Sequence, residues 1–438
     1  MSSHRKLGSG LLVGFALVVA FLAGMVSMHE LSNEGLLRTV ARIVQIIPGV
    51  LQIEENPSIP AATDLRPLQT FWEVRDKVKR SFVYSVDDDS KLTYGAIRGM
   101  LASLDDPWTR FYTPEEYREF QVETEGHFDG IGAVLESREV GGDGGEREVF
   151  ITSIIPEGPA SKVDIRPEDV IVTVDGLPTK GATLQAVVNK IRGKRGTTVK
   201  LGLKRQGVDQ VIDVDVMRAE IAIPVVEYRM LDDKIGYVWL RSFNKQADTK
   251  VRAALEDLKS QGMKGLVFDL SINGGGLLDM AISVSSMFID HGPVVFVQER
   301  GQQPEPLNAL RNGLVVPKDI PVVVLTDHGS ASASEITAAC LQDSGRALVV
   351  GQNTFGKSKV QTVCELNDRS ALVLSTAVYL TPKKRDISQD YEEGKRGVKP
   401  DKYLPDPDPN ARIKYDDWHK QQIDQAVKVL EEQSKKGG

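Results

Sequence analysis

A cluster of serines follows an apolar segment in the second half of this 438-residue chain. The letters G-S-A-S-A-S-E occupy residues 329–335, directly after the apolar run 321–326. A strand that ends in small residues and leads into a helix places its loop at the carboxyl edge of a sheet, where α/β folds bind ligands. Free N–H groups and the positive end of the helix dipole would stabilise an oxyanion beside the central serine, Ser332. The same letters could also do no more than cap a helix.

A lysine that could act as the base for this serine lies 25 residues further along the chain. Lys357 and Gln361 are four residues apart, so they share a face in either a helix or a strand. A lysine acts as a base only when it is neutral, which requires its pKa to fall from about 10.4 to about 7–8. The amide of Gln361 could orient the amine without adding a counter-charge that would keep it protonated.

Histidine remains an alternative base, because the chain contains six histidines. His328 is close to Ser332 in sequence, but it precedes the serine on the same short loop. Distant histidines such as His127 or His291 stay open as partners. The sequence contains neither the G-x-S-x-G motif of common esterases nor a spacing of metal ligands, so we predict no metal and no other cofactor.

The composition excludes some partners. A net charge of −7 and a pI near 5.6 argue against nucleic acid, which would require a basic face. Only two cysteines occur, Cys340 and Cys364, so no disulfide framework holds the fold. The two could pair in an oxidising compartment, or both could be small buried apolar residues.

The amino terminus predicts export. A basic stretch at residues 4–6 precedes the uncharged run 7–28, whose apolar part is long enough for a membrane-spanning helix of about 20 residues. Because no A-x-A cleavage site lies near its end, we predict an uncleaved signal anchor with its basic end in the cytoplasm. Cleavage of the segment, and hence secretion, is the alternative.

Periodicity divides the rest of the chain into regions. An apolar stripe over 36–47 is either a self-association face or a helix lying on a membrane, and 54–67 is a linker. A helical region precedes a stretch of short glycine-punctuated strands, 128–216. From residue 235 onward strands alternate with helices, which predicts an α/β layer. Its strands are predicted at 237–240, 265–270, 294–297, 322–326 and 348–350.

Several spaced motifs identify a family. The letters S-A-S-A-S-E-I at 330–336, with T-F-G-K at 354–357, resemble the carboxyl-terminal processing (tail-specific) proteases, and the resemblance covers about residues 70–436. It implies that Ser332 is the nucleophile, Lys357 the base and Gln361 a supporting residue. It also implies an α/β (multidomain α+β) fold: a crotonase/ClpP-like core, an inserted PDZ domain and an N-terminal helical region.

The family also has a loop of sequence D-L-R-x-N-P-G-G that helps to form the oxyanion hole. Here residues 269–276 read D-L-S-I-N-G-G-G, so Ser271 replaces the usual arginine and Gly274 the usual proline. The family's F-G-K-G motif likewise differs here, because residues 355–358 read F-G-K-S with Ser358 in place of the last glycine. We expect a less rigid loop, with the backbone N–H groups of Gly275 and Ala333 as the candidate oxyanion hole.

A second resemblance lies upstream. Gly130, Ile131 and Gly132, followed by a strand, resemble the loop of a PDZ domain that binds a terminal carboxylate while the peptide adds a strand to the sheet edge. Asp164 and Glu168 stand where such domains usually have glycine. The PDZ module would recognise substrate C-termini and could also gate activity.

These features predict a serine endopeptidase of the cell envelope that processes exported proteins at or near their C-termini. Its partners would be peptides with accessible C-termini and the membrane, while a homo-oligomer or an adaptor protein stays open. A catalytically silent, membrane-tethered PDZ adaptor is the alternative. The predicted divisions are an anchor (1–30), an amphipathic helix and linker (31–67), a helical region (68–122), the PDZ domain (123–218), the protease core (219–400) and a C-terminal segment with its helix (401–438).

Overall fold

The structure is a computed structural model that describes residues 66–140, 146–406 and 414–436. The predicted anchor and the amphipathic helix after it lie outside these residues. Within the described ranges, no helix is both long enough and apolar enough to cross a membrane. The described residues fall into two units, one before and one after the division between residues 87 and 88.

In the first unit, helix α1 spans Arg66–Ser81, at the start of the predicted helical region. Its last turn carries Lys79 and Arg80, whose charges are favourable at the negative end of the helix dipole.

The second unit begins with two helices and a short strand. Helix α2 (Asp89–Ala102) starts where Asp88 accepts a hydrogen bond from the Ser90 N–H. Strand β1 (Arg110–Tyr112) follows. Helix α3 (Pro114–Glu125) opens with a capping box, because Thr113 and Glu116 bind each other's main-chain N–H groups. It ends at Gly126, whose φ of 75° suits glycine.

A two-stranded sheet of β2 (His127–Gly130) and β9 (Ala219–Ala222) marks both ends of the PDZ region. Between them an antiparallel sheet has the strand order β3-β4-β5-β7-β8, with β6 paired to β5. Residues such as Ile151, Val187 and Leu201 form its own core. Its elements are β3 (Ala133–Val140), β4 (Glu146–Ile154), β5 (Val170–Val174), β6 (Leu177–Pro178), α4 (Leu184–Ile191), β7 (Thr198–Lys204) and β8 (Ile212–Met217).

The α/β layer contains a six-stranded sheet of order β10-β11-β12-β15-β16-β19, parallel from β11 onward. The alternating residues Val238, Leu240 and Phe268 pack on one face with helices α5, α6 and α7. Tyr237 and Trp239 pack on the other face with the terminal helix α8. The elements are β10 (Val226–Met230), β11 (Ile235–Leu240), α5 (Ala247–Ser260), β12 (Gly265–Asp269), α6 (Leu278–Ser285), β15 (Val322–Thr326), α7 (Ala333–Asp343), β16 (Leu348–Gly351), β19 (Lys402–Tyr403) and α8 (Tyr415–Lys436).

A second sheet lies beside this layer and was only partly predicted. Its order is β1-β18-β13-β14, with β17 paired along the other edge of β18. Strand β1 pairs at Ala371–Val373 and β13 at 377–380, so two strands share one edge of β18. The strands are β13 (Pro293–Glu299), β14 (Glu305–Asn308), β17 (Lys359–Glu365) and β18 (Ala371–Leu380).

Candidate active site

Ser332 lies at the start of helix α7, directly after the loop that leaves the buried strand β15. Its backbone has φ 56° and ψ −113°, outside the regions that non-glycine residues usually adopt. Such a conformation costs about 1–3 kcal/mol, and it persists only where surrounding contacts enforce it. The serine N–H donates to a carboxylate oxygen of Glu335 at 2.8 Å.

The carboxylate of Glu335 connects the serine loop to the lysine loop. Its Oε2 accepts hydrogen bonds from the main-chain N–H groups of Ser332 and Lys357, at 2.8 and 2.9 Å. Its Oε1 accepts from the Thr354 hydroxyl and the Gly356 N–H, both at 2.6 Å. Burial raises the pKa of this carboxyl, and the four hydrogen bonds oppose that rise. One fully buried carboxylate therefore fixes both candidate catalytic residues through their backbones.

The hydroxyl of Tyr379 contacts the carbonyl groups of the same two residues. It lies 3.2 Å from the carbonyl oxygen of Ser332 and forms a short hydrogen bond to the carbonyl oxygen of Lys357. The side chain is buried, and its strand, β18, was not predicted. Glu335 therefore binds the N–H groups of Ser332 and Lys357, and Tyr379 binds the carbonyl groups of the same two residues.

The side chain of Lys357 is half-buried, and its amine lies 4.6 Å from the ring centroid of Trp108. Burial, and then the positive charge of Arg110, lower the pKa of Lys357 below its usual value. The negative charges of Glu335 and Asp106 partly oppose this shift. Among the described residues, no hydrogen bond joins the Lys357 amine to the Ser332 hydroxyl, so the two side chains share a site without a direct bond.

Gln361 lies on β17 and lines the same cavity as Ser332 and Lys357, a space of about 510 Å³. Its amide nitrogen is buried, and in the described part of the chain it has no hydrogen-bond partner. Leaving a buried amide unpaired costs about 1–3 kcal/mol, which marks this group as a place where a ligand or a moving side chain would bind.

The predicted oxyanion residues lie side by side. Gly275 has a φ of 97°, and a Cβ atom there would come within 2.6 Å of the Ala331 oxygen and 2.8 Å of the Ala333 nitrogen. The N–H of Gly275 donates to the Asn273 side chain at 2.9 Å. The N–H of Ala333 has no acceptor in residues 88–140, 146–406 and 414–436. The structure therefore leaves the Ala333 N–H open to an oxyanion, whereas that of Gly275 is engaged.

Buried side chains brace the rest of this loop. Asp269 accepts from the Ser271 N–H at 2.8 Å, and Asp327 accepts from the Ile272 N–H at 2.9 Å. The indole N–H of Trp239 donates to the Ser271 carbonyl at 3.0 Å. These bonds supply rigidity to a loop that we expected to be less rigid because Ser271 and Gly274 replace the usual arginine and proline.

The terminal helix reaches the base of the same loop, a contact that the sequence did not reveal. The Nε2 atom of His419 lies 2.8 Å from Asp269 Oδ2, and the Tyr237 hydroxyl donates to the same oxygen at 2.7 Å. The imidazole also packs against Trp239, with ring centroids 4.4 Å apart. Helix α8 is thereby tied to the loop through a buried carboxylate.

The alternative histidine bases lie elsewhere. His328 contacts Asp406 at 3.2 Å, and His291 contacts Asp290 at 2.5 Å. His127 belongs to β2. None of the three lines the cavity that contains Ser332. Lys357, in contrast, lines that cavity.

The described residues contain no group of three or more His, Cys, Asp or Glu side chains arranged to hold a metal ion. Cys340 and Cys364 are both free thiols, the first buried and the second half-buried.

The predicted PDZ loop follows strand β2 at residues 131–132. Gly130 ends β2, and the carbonyl oxygens of Ile131 and Gly132 accept bonds from Ala160 and Ile155. In the part of the chain that the structure describes, the N–H groups of Ile131 and Gly132 have no acceptor. Strand β3 follows at the edge of its sheet with α4 packed against it. A peptide could add to this edge.

Comparisons with known proteins agree with this architecture. The sequence models described as Peptidase family S41, PDZ domain and Activating protease CtpB N-terminal domain match residues 234–404, 119–204 and 52–116. Carboxy-terminal processing protease CtpA of Bacillus subtilis is 38% identical over 322 residues, which cover 73% of this chain and 66% of that protein. The carboxyl-terminal-processing protease of Picosynechococcus sp. is 36% identical over 344 residues, which cover 77% and 78%.

Among solved structures, the photosystem II D1 C-terminal processing protease aligns at 33% identity over 77% of this chain and 87% of that one, with a TM-score of 0.42. The matches to the sequence models show that the chain carries the fold of a PDZ-containing serine-type peptidase. It belongs to peptidase family S41, the carboxyl-terminal processing proteases. The predicted family, fold class and enzyme class are confirmed. Membership of a peptidase family favours the enzyme over the adaptor alternative.

Proposed function

We propose that this chain hydrolyses peptide bonds with Ser332 as nucleophile and Lys357 as general base, and that it cuts exported proteins at or near their C-termini. The observation that carries the proposal is the shared anchor. The backbone N–H groups of both residues bind one oxygen of Glu335, and both residues border one cavity. Two residues fixed this closely can exchange a proton through the flexible lysine side chain.

In the proposed reaction, the neutral amine of Lys357 takes the proton from the Ser332 hydroxyl while the serine oxygen bonds to the peptide carbonyl carbon. The Ala333 N–H binds the resulting oxyanion. The ammonium then returns the proton to the leaving amine as the peptide bond breaks. Water, deprotonated by the same lysine, hydrolyses the acyl-enzyme. The carbonyl of Gln361 would accept a hydrogen bond from the amine and orient it toward the serine.

The PDZ region supports a role in substrate selection. The open N–H groups of Ile131 and Gly132 would bind the terminal carboxylate of a substrate, and the edge of β3 would pair with its last residues. A protein would then be held by its C-terminus while a more distant bond reaches Ser332.

The cellular setting is part of the proposal. The uncharged run at 7–28 would anchor the chain in a membrane, with residues 88–438 outside the cytoplasm. Fractionation of cells that express the full chain, with protease added from outside, tests this arrangement. A catalytic part that stays in the cytosolic fraction would contradict it.

Replacing the proposed pair tests the chemistry. Ser332→Ala and Lys357→Ala should each abolish cleavage of an unfolded protein with an apolar C-terminus, because each removes an essential half of the reaction. Ser260→Ala and Lys420→Ala change exposed residues of the same types and should keep full activity. Full peptidase activity in Ser332→Ala would overturn the assignment.

A further inference from the structure

A segment that precedes the PDZ region places an aromatic ring on the candidate base. Trp108 belongs to the loop between α2 and β1, and its N–H donates to Asp106 at 3.2 Å. The same carboxylate accepts from the Thr109 hydroxyl at 2.7 Å, and that hydroxyl accepts from the Ser375 N–H at 3.1 Å. The loop that carries Trp108 is therefore attached to the part of β18 that neither β1 nor β13 covers.

The ring faces the lysine amine directly. The Lys357 Nζ lies 4.6 Å from the centroid of Trp108, well inside the range of a cation–π contact. The indole forms a T-shaped pair with Phe355, with centroids 5.6 Å apart and planes at 78°. Arg396 covers Phe355 at 5.7 Å. The aromatic face is thus held in one orientation toward the amine.

Lys357 also stands where two cavities meet. One, of about 510 Å³, contains Ser332, and the other, of about 1030 Å³, contains Trp108. The amine at the ring is separate from the Ser332 hydroxyl, while the buried Gln361 amide nitrogen on the serine side has no partner in the described residues. Because an amide N–H donates, this group offers a place to the neutral amine, whereas the ring offers a place to the ammonium ion.

We propose that Trp108 is a positioning residue for the base, which holds the Lys357 amine as an ammonium ion between turnovers and screens it from water. The inference rests on the proposed function, because it assumes that Lys357 must leave the ring to act on Ser332. A cation–π contact favours the charged amine by about five- to thirtyfold when it is partly desolvated. Exclusion of water favours the neutral amine. The ring therefore sets the pH range in which the lysine works.

Three substitutions separate these two effects. Trp108→Leu keeps apolar bulk and removes the aromatic face, so the ammonium loses stabilisation and Lys357 should titrate at lower pH. Trp108→Ala removes the aromatic face and also opens the site to water, so the lysine should titrate at higher pH than in Trp108→Leu. Trp108→Phe keeps an aromatic face and should stay close to the unsubstituted protein.

The test combines the pH profile of kcat/KM on a peptide substrate with an NMR titration of the Lys357 side chain in the full chain carrying Ser332→Ala. We expect the acid limb and the titration to move together, downward for Trp108→Leu, with Trp108→Ala at higher pH than Trp108→Leu. Peptidase activity near neutral pH should rise about fivefold or more for Trp108→Leu.

Equal losses of kcat/KM in the three variants, with no movement of either titration, would overturn the inference and leave Trp108 a packing role. Thermal unfolding of each variant identifies any that fails to fold, and the leucine and phenylalanine variants decide the question without the alanine one. Full activity of Lys357→Ala would contradict the proposed function instead. The NMR titration would still report the contact between ring and amine.

Discussion

The two sides of the candidate site are built differently. On the serine side, the loop 269–276 and the start of α7 are held by buried side chains that accept main-chain N–H groups, among them Asp269, Asp327 and Glu335. On the lysine side, the backbone N–H of Lys357 also binds a buried carboxylate, that of Glu335. The Lys357 amine instead contacts the aromatic ring of Trp108.

The difference follows from the chemistry that each side would perform. Backbone dipoles that stabilise an oxyanion must be fixed before the reaction, because reorganising them during it would cost rate. A lysine base must lose and regain a proton, and a bonded carboxylate would hold that proton on it. The buried carboxylates therefore bind main-chain N–H groups. Among the described residues, no carboxylate forms an ion pair with the lysine amine.

Lys357→Arg tests the lysine side with the largest expected effect. Arginine keeps the positive charge and much of the length, but it cannot deprotonate in a protein. We expect peptide cleavage to fall about 10²–10⁴-fold, the usual contribution of a general base. Steady-state kinetics on one peptide gives the comparison, with Lys420→Arg as the control. A rate within tenfold of the original would show that this lysine need not lose its proton.

Glu335→Gln weakens the connection between the two sides. The glutamine amide has the same volume, but one of its two polar atoms is an NH₂ group that donates instead of accepting. Both carboxylate oxygens of Glu335 now accept hydrogen bonds, so those to one of them must break. We expect kcat to fall about a hundredfold, since a shift of about 1 Å in a reacting group has that effect. The free energy of unfolding should fall by about 2–4 kcal/mol.

Chemical denaturation and steady-state kinetics measure the two effects of this substitution. Glu256→Gln, an exposed change on α5, should alter neither. If Glu335→Gln kept both stability and kcat, the carboxylate would not be what holds the serine and lysine loops together.

Gly275→Ala tests the serine side by crowding it. The added Cβ would lie 2.6 Å from the Ala331 oxygen, and a φ of 97° is unfavourable for alanine. We expect kcat to fall at least about tenfold through displacement of the loop beside Ala333. Gly274→Ala is the matched control, because a Cβ there meets no atom within 4 Å. Equal effects of the two substitutions would show that loop geometry at Gly275 does not limit the rate.

Gln361→Glu should have the smallest effect at high pH and a clear one at low pH. A carboxylate beside the amine stabilises the ammonium and raises the pKa of Lys357, which burial otherwise lowers. Because the base is active only when neutral, the acid limb of kcat/KM should move to higher pH, by about one unit. Gln361→Ala, which adds no charge, should lower the rate with little movement of that limb. If both variants had the same pH profile of kcat/KM, Gln361 would not lie close enough to the lysine amine to affect its pKa.

Much of this architecture could be predicted, because short stretches of sequence indicate individual strands and helices. The buried strands β11, β12, β15 and β16 consist mostly of apolar residues, and the helix at Ser332 begins after small residues. The hairpin of β17 and β18 was missed. Its strands are covered unevenly, so their residues follow no simple alternation between buried and exposed.

The contacts that complete the candidate site were also beyond sequence reasoning. Trp108, Tyr379 and His419 come from segments distant from Ser332, and only the fold places them at the serine, the lysine and the loop beside them. Glu335 did offer a local signal, since a glutamate three residues after a helix-capping serine is typical of a capping box. The pattern predicted a cap, whereas the carboxylate also binds the lysine loop.

The most direct test measures acylation of Ser332 as a function of pH. A serine-directed acylating probe is reacted with the full chain, and mass spectrometry locates the adduct and times its formation. The account predicts a single adduct on Ser332. Its rate should rise with pH through one ionisation below the usual value for lysine, about 10.4, and Lys357→Ala should remove that ionisation. Labelling at another residue, or an unchanged pH profile in Lys357→Ala, would contradict it.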